Sequence, residues 1–212
     1  MPARSDSELL TLLSLRLKGF VDSGEAAQLA GIEQSEADEF LGAAAAADLV
    51  VYRDGRISGW QLKPEGRLRG EQLLAAQLDQ TGSRDAIGEA YDRFLEINYR
   101  FLSTCTDWQV RVVAGEQQLN DHCDPEYDDA VIAALASIDE LVQPIAATLT
   151  AALDRFASYG PRFAERLSRV RAGDTDWFTK PMIDSYHTVW FELHENLLAT
   201  LGIERATESK QG

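Results

Sequence analysis

The chain is poor in the residues that carry most site chemistries. Its two cysteines, Cys105 and Cys123, are too few for a disulfide framework, and their spacing matches no metal motif. There is no glycine-rich phosphate loop, no nucleophile elbow and no zinc signature. These absences leave no catalytic residue and no cofactor to assign, and an enzyme is not expected. No run of eighteen apolar residues offers a membrane span. The start, MPARSDSELL, lacks the basic-then-apolar layout of a signal peptide. A cytoplasmic protein with reduced thiols is expected, with no membrane partner.

Positive charge is scarce as well. Lys and Arg number 20 against 35 Asp and Glu, so the net charge is −15. Residues 1–80 hold 8 basic against 13 acidic side chains, and residues 81–212 hold 12 against 22. Phosphate contacts supply most non-specific affinity for nucleic acid, so such a function needs a local basic stripe here. What the chain has in quantity is apolar surface. Hydrophobic residues make up 45% of 212, enough for one large or two small buried cores.

Periodicity divides the chain in two. Leu9, Leu10, Leu13 and Leu17 share one face of a first helix, with Asp6 at its cap and Gly19 at its end. Asp22 and Glu25 form a capping-box pattern for a second helix, closed by Gly31. Ser35, with Asp38 three residues on, marks the start of a third, whose apolar face is Ala37, Phe40, Leu41 and Ala44. An extended run, Leu49 to Tyr52, meets a tight turn at Asp54-Gly55, and a second run ends at Leu62. Pro64 opens a helix to about Gln80, and Gly82-Ser83 breaks it.

That succession over roughly residues 8–74, with Leu62-Lys63-Pro64-Glu65-Gly66-Arg67 leading out of the hairpin, resembles winged helix-turn-helix transcription regulators of the MarR-like and PadR-like type. The resemblance implies a regulator that binds double-stranded DNA as a homodimer. The third helix would enter the major groove, where Gln34 and Ser35 are its base readers. Arg53, Arg56, Lys63 and Arg67, on and after the wing, would hold phosphates. The same stretch supports a second reading. From Ser35 to Ala47 there is no basic residue, and Glu36 and Glu39 lie on the face opposite the apolar one. A winged helix with such a third helix suits a protein-interaction module that has lost DNA binding.

After residue 82 the pattern predicts an all-α domain of about five helices. One runs from Arg84 to Thr104. The stretch Asp107 to Asp124 is expected as loop or short helix. A long helix opens at Pro125 and is kinked or divided at Pro144. Gly160-Pro161 stops one helix and restarts another to Arg171. The last helix starts at Thr179-Lys180-Pro181 and ends at Leu201. The expected fold is therefore mainly α: a winged helix-turn-helix with a two-stranded wing over residues 1–82, then a helical domain over residues 83–212 for dimerisation and effector sensing. The helices from Arg84 and from Pro181 carry the widest apolar faces and are the expected dimer seam.

Fourteen of the eighteen aromatic residues follow residue 84. Tyr91, Tyr186, His187, Trp190 and His194 are a candidate pocket for a small-molecule effector. The competing reading is an aromatic core or a dimer seam. Asp184 and His187 stand three apart on the expected last helix, and Asp121, His122 and Asp124 could add ligands from a loop. His194, however, shares its face with Trp190, Leu197 and Leu201, the surroundings of a core histidine. No metal is assigned.

Overall fold

The structure is a computed structural model, and it describes residues 6–56, 58–113 and 115–204. It is mainly helical, at 72% helix, with two separate two-stranded antiparallel sheets. The described residues divide into two compact units. The first draws on Met1–Asp85, Leu153–Arg155 and His194–Gly212, the second on Ala86–Ala152 and Phe156–Leu193. The division at Asp85 lies close to the glycine break at Gly82. The return of residues from His194 onward to the first unit has no counterpart in a single cut of the sequence.

In the first unit, α1 (Ser7–Lys18) is capped by Asp6, whose carboxylate accepts from the Glu8 amide, and ends at Gly19 in the left-handed region. Helix α2 (Ser23–Ala30) repeats the device with Asp22 and the Glu25 amide, and Gly31 at φ 65° turns the chain. Helix α3 (Gln34–Ala46) starts one residue earlier than Ser35 would set it. Its cap residue is Glu33, which makes no side-chain cap bond. Leu12, Leu15, Val21, Ala26, Leu41, Ala44 and Val50 form the core beneath these helices, joined by Trp60 and Leu62.

Strands β1 (Val50–Arg53) and β2 (Gly59–Leu62) pair with Val50 opposite Leu62 and Arg53 opposite Gly59. The connection is therefore five residues long, not a tight Asp54-Gly55 turn. Ser58 closes it, its hydroxyl donating to Asp54 at 3.0 Å and accepting from the Gly55 amide at 3.2 Å. Val21 bridges to Trp60, which ties the hairpin to the end of α1. Helix α4 (Pro64–Thr81) follows with Pro64 in its first turn. Gly66 is a point of close approach: a Cβ there would lie 2.0 Å from the Leu49 carbonyl oxygen. Residues from the far end of the chain complete this unit. Ala199 packs with Leu9, Leu13 and Leu74, and Arg155 donates to Gln77 at 3.1 Å and to the Thr200 hydroxyl at 2.7 Å.

The second unit corrects the sequence at four places. Helix α5 (Arg84–Gln109) is longer than expected, and the following stretch is a hairpin, not loop or helix. Strands β3 (Val110–Val113) and β4 (Glu116–Leu119) pair with Val110 opposite Leu119. The domain is thus not all-α. Three valines in four residues favour a strand, and Gly115 at φ 89° serves the turn.

Helix α6 (Pro125–Ala152) runs undivided through Pro144. An interior proline costs about 3 kcal/mol. Here Val142, Ile145, Ala146 and Leu149 are all buried on either side of it, and α6 packs against α7, so tertiary burial holds the helix together. By length and composition α6 could cross a bilayer, but 44% of its most apolar window is buried inside the protein.

A 3-10 turn (Asp154–Phe156) precedes α7 (Tyr159–Arg171), so Gly160-Pro161 lies inside the first turn of a helix already begun. After the short α8 (Asp176–Thr179), α9 (Tyr186–Leu201) begins five residues beyond Pro181. Ser185 caps it, accepting from the Thr188 amide at 3.3 Å.

Candidate nucleic-acid interface

The hairpin and α3 carry every residue expected to meet DNA, except Lys63 and Arg67, which follow the hairpin. Gln34 and Ser35 are exposed at the start of α3. Ala37, Leu41 and Ala44 turn inward, fully covered, and hold the helix against the core. That fixes the outward face as Glu36, Asp38, Glu39, Ala43 and Ala46, of which the three acids are exposed. The face is acidic and holds no cation.

The four cations divide into two kinds. Lys63 is paired with Asp48, whose backbone takes the left-handed conformation at φ 63° just before β1. Arg67 is paired with Glu71 one turn along α4, at 3.3 Å. Arg53 and Arg56, at the end of β1 and in the connection after it, are exposed and have no carboxylate partner among the described residues. Tyr52, half exposed, stands edge-on to Trp60 with ring centres 5.2 Å apart, and this pair stiffens the strand that presents Arg53.

The sequence did not point to Arg16. Its guanidinium donates to Glu71 at 2.9 Å and to Glu195 at 3.2 Å. With Lys63, Arg67, Gln61 and Pro64 it lines a cleft of about 440 Å³ at the foot of the hairpin. Each cation of this cleft already faces a carboxylate of its own chain. The only sequence signal for Arg16 was its place in the last turn of α1, which marks a helix end and not a site.

The expected effector pocket is filled. In the second unit Tyr186 and Trp190 are fully buried. Trp190 stacks on Phe101 at 4.2 Å and on Phe94 at 4.7 Å, and its indole N–H donates to Asn98 at 2.9 Å. Tyr186 lies against Phe163 at 4.9 Å and donates to Asp139 at 3.1 Å. Burial pushes the Asp139 carboxyl above its ordinary value, which hydrogen bonds from Gln143 and Tyr186 only partly offset. Tyr91 is buried too. His187 is half-buried against Phe191, and burial lowers its pKa. His194 is buried in the other unit. Four of these five residues are core, and His187 is half-buried at its edge.

Asp184 precedes α9 and does not stand on a helix with His187. It is held by Arg162 and Arg166. Burial disfavours its charge, but the two guanidinium groups outweigh this and hold the carboxyl below its ordinary value. Arg162 also donates to Glu192 at 2.6 Å, and Trp177 covers Arg166 and Arg169. This ionic network joins α7 to Glu192 on α9 and to Asp184 just before it. No group of three or more metal-ligating side chains occurs among the described residues. Cys105 is buried, and burial raises its thiol to about 12, far from a nucleophile's range.

Comparisons with protein-family models, with curated proteins and with solved structures give no match. The functional reading therefore stands on the residues themselves.

Proposed function

We propose that the first unit is a winged helix-turn-helix and that the protein is a non-enzymatic, cytoplasmic transcription regulator that holds double-stranded DNA as a homodimer. The single observation that carries the reading is the hairpin that directly follows α2-turn-α3 and presents Arg53 and Arg56 without intramolecular partners among the described residues. An exposed arginine with no carboxylate beside it can meet a phosphate without first breaking a pair. In this reading Gln34 and Ser35 touch base edges, and α4 leads away from the duplex.

Titration of labelled duplex from the protein's own operon region, at two salt concentrations, tests it. Arg53→Ala with Arg56→Ala should weaken binding to all sequences about equally, because phosphate contacts carry no base information. Gln34→Ala should instead relax discrimination, by about 1–3 kcal/mol per base read. Absence of duplex binding by the wild type at low salt would end the DNA reading.

One observation favours a second reading, a protein-interaction module. The outward face of α3 carries Glu36, Asp38 and Glu39 and no cation. A basic partner peptide would suit that face better than phosphate would. In that case the arginine pair is silent in DNA titration, and Glu36→Gln with Glu39→Gln weakens partner capture.

A further inference from the structure

We propose that the exposed face of α5 is a self-complementary interface that takes a second copy of the same helix, antiparallel. This deepens the homodimer of the proposed function and rests on that reading for its stoichiometry alone.

Helix α5 buries Ile87, Tyr91, Phe94, Ile97, Phe101, Cys105 and Trp108 on one side. Its other side carries Glu89, Arg93, Glu96 and Arg100, all exposed. Glu89 and Arg93 stand four apart, as do Glu96 and Arg100, the spacing at which a helix pairs its own charges. Yet among the described residues none of the four has an ion-pair partner. Beside this row lies Tyr99, 81% exposed. Its ring offers a partner a broad apolar face with a polar tip.

The row reads acid, base, acid, base, at separations of four, three and four residues. Reversing the row and exchanging its signs leaves it unchanged. That is the condition for a helix to complement itself antiparallel. Place the two-fold axis level between Phe94 and Leu95. Arg93 then faces Glu96 of the other copy, and Glu89 faces Arg100. The two-fold repeats both pairs, giving four complementary contacts from four residues. At 3.6 residues per turn the four fall within a sector of about 60°, so one seam reaches them all. A parallel pair in register would set Arg against Arg and Glu against Glu, so the pattern selects against it.

The same register gives Tyr99 its cover. Its ring lies against the turn from Gly88 to Asp92 of the other copy. Nothing stands within 4 Å of where a Cβ on Gly88 would be, so the ring has room. Glycine is a poor helix former beside alanine, and among the described residues no contact accounts for this one. Asp92, exposed, can accept from the Tyr99 hydroxyl. Asp92 falls one residue from the level of Glu96 of the other copy, and the two-fold also brings the two Arg93 side chains, and the two Glu96, within a turn of each other; these repulsions limit affinity. Helix α9, the other expected seam, has no exposed residue. It has no face left to give a partner.

Charge exchange in the full-length chain decides the matter. Arg93→Glu with Arg100→Glu makes all four positions acidic, and Glu89→Arg with Glu96→Arg makes all four basic. Each variant alone should sediment as a monomer at a micromolar concentration where the wild type is a dimer, with unchanged helical circular dichroism. Mixed in equal amounts, the two should recover the dimer, because every facing pair is again opposite in sign. Gly88→Leu, which fills the space for the Tyr99 ring, should shift the dissociation midpoint to higher concentration. That single change on an open surface still reads the register should a charge variant fail to fold.

A wild-type monomer overturns the proposal. So does either charge variant that stays dimeric alone, a mixture of folded variants that does not associate, or a Gly88→Leu midpoint that stays where it was. If a charge variant stays dimeric and still binds duplex, the seam lies elsewhere and the regulator reading survives. If the exchange works and the wild-type dimer ignores duplex, the interface stands and the regulator reading falls.

Discussion

Gly66→Ala should destabilise the first unit, against the ordinary rule for a helix. Gly66 lies in the first turn of α4, where alanine normally gains up to about 1 kcal/mol over glycine. Here a Cβ would sit 2.0 Å from the Leu49 carbonyl oxygen and 2.9 Å from the Leu49 carbonyl carbon and from Leu62 Cδ2. The nearest atom is backbone, so no rotamer change relieves the overlap. The Leu49 oxygen is also fixed, since it accepts from the Lys63 amide at 3.0 Å. Accommodation must therefore separate α4 from the residue that enters β1. Overpacking of this kind costs about 1–3 kcal/mol. A weakened Lys63–Leu49 hydrogen bond adds about 1 kcal/mol. Against the propensity gain, the net loss is about 2 kcal/mol. At about 2–4 °C per kcal/mol for a chain of this length, that is a fall of roughly 4–8 °C in Tm. Gly70→Ala, in the same helix, is the internal control. Its nearest neighbour is Leu12 Cβ at 3.7 Å, an ordinary contact, so it should be neutral or stabilising by up to about 1 kcal/mol. Thermal and urea melts followed by circular dichroism read both. Equal stability of the two variants would refute the close packing of α4 on Leu49.

Trp190→Ala should cost about 3–5 kcal/mol in a urea titration, because a fully buried ring in a stacked cluster leaves a cavity. A melt that scarcely moved would show that Trp190 is not core. Asp184 has a folded pKa lowered by Arg162 and Arg166, so its stabilisation is complete above the ordinary aspartate value of about 3.9 and is lost as pH falls through the folded value. Asp184→Asn should accordingly lower stability at neutral pH and flatten the acid limb of a stability-against-pH curve; an unchanged limb would place the acid sensitivity elsewhere. Glu36→Gln with Glu39→Gln should tighten duplex binding if the α3 face lies near phosphate, and leave it unchanged if that face never meets DNA.

The parts of the fold that were legible in the sequence are those written in local chemistry. Asp6 and Asp22 announced helix starts because a short acceptor before an apolar period has one common use, and both carboxylates do accept amide protons. The differences have separate causes: burial overrides one proline, a local cap overrides another, and a polar strand conceals a hairpin. Pro144 did not break α6, because the residues around it are buried. Pro181 did not start α9, whose cap is Ser185. The cap is local, the Ser185 hydroxyl accepting from the Thr188 amide, so a serine four residues past the proline sets the start. The β3–β4 hairpin was hidden by its polar second strand, Glu116-Gln117-Gln118-Leu119, exposed at every residue and so without a buried face to show alternation. The site was legible only in its residue types. Arg53 and Lys63 look alike in sequence, and only the fold brings Asp48 against the second. Likewise the aromatics after residue 84 could line a pocket or fill a core, and nothing in their spacing says that Phe94, Phe101 and Phe163 would take the space beside Trp190.

Charge also links the two proposals. Each chain offers two hairpin cations, Arg53 and Arg56, unpaired among the described residues. Lys63 and Arg67 would add little, because each must give up its own carboxylate to meet a phosphate, exchanging one exposed ion pair for another. Two phosphate contacts give a slope of log affinity against log salt of only about −1.8, and four give about −3.6. A monomer would hold duplex weakly, and two copies joined through α5 would raise the effective concentration of the second wing. The acidic and the basic α5 variants described above should therefore both bind with about half the wild-type slope, and their mixture should restore it. A simple effect of net charge would push the two variants in opposite directions, since one gains negative and the other positive charge. Loss of the second copy moves both the same way. Slopes that move apart, one steeper and one shallower than wild type, would mean that α5 acts on DNA through its field alone, and the coupling between dimer and wing would fall.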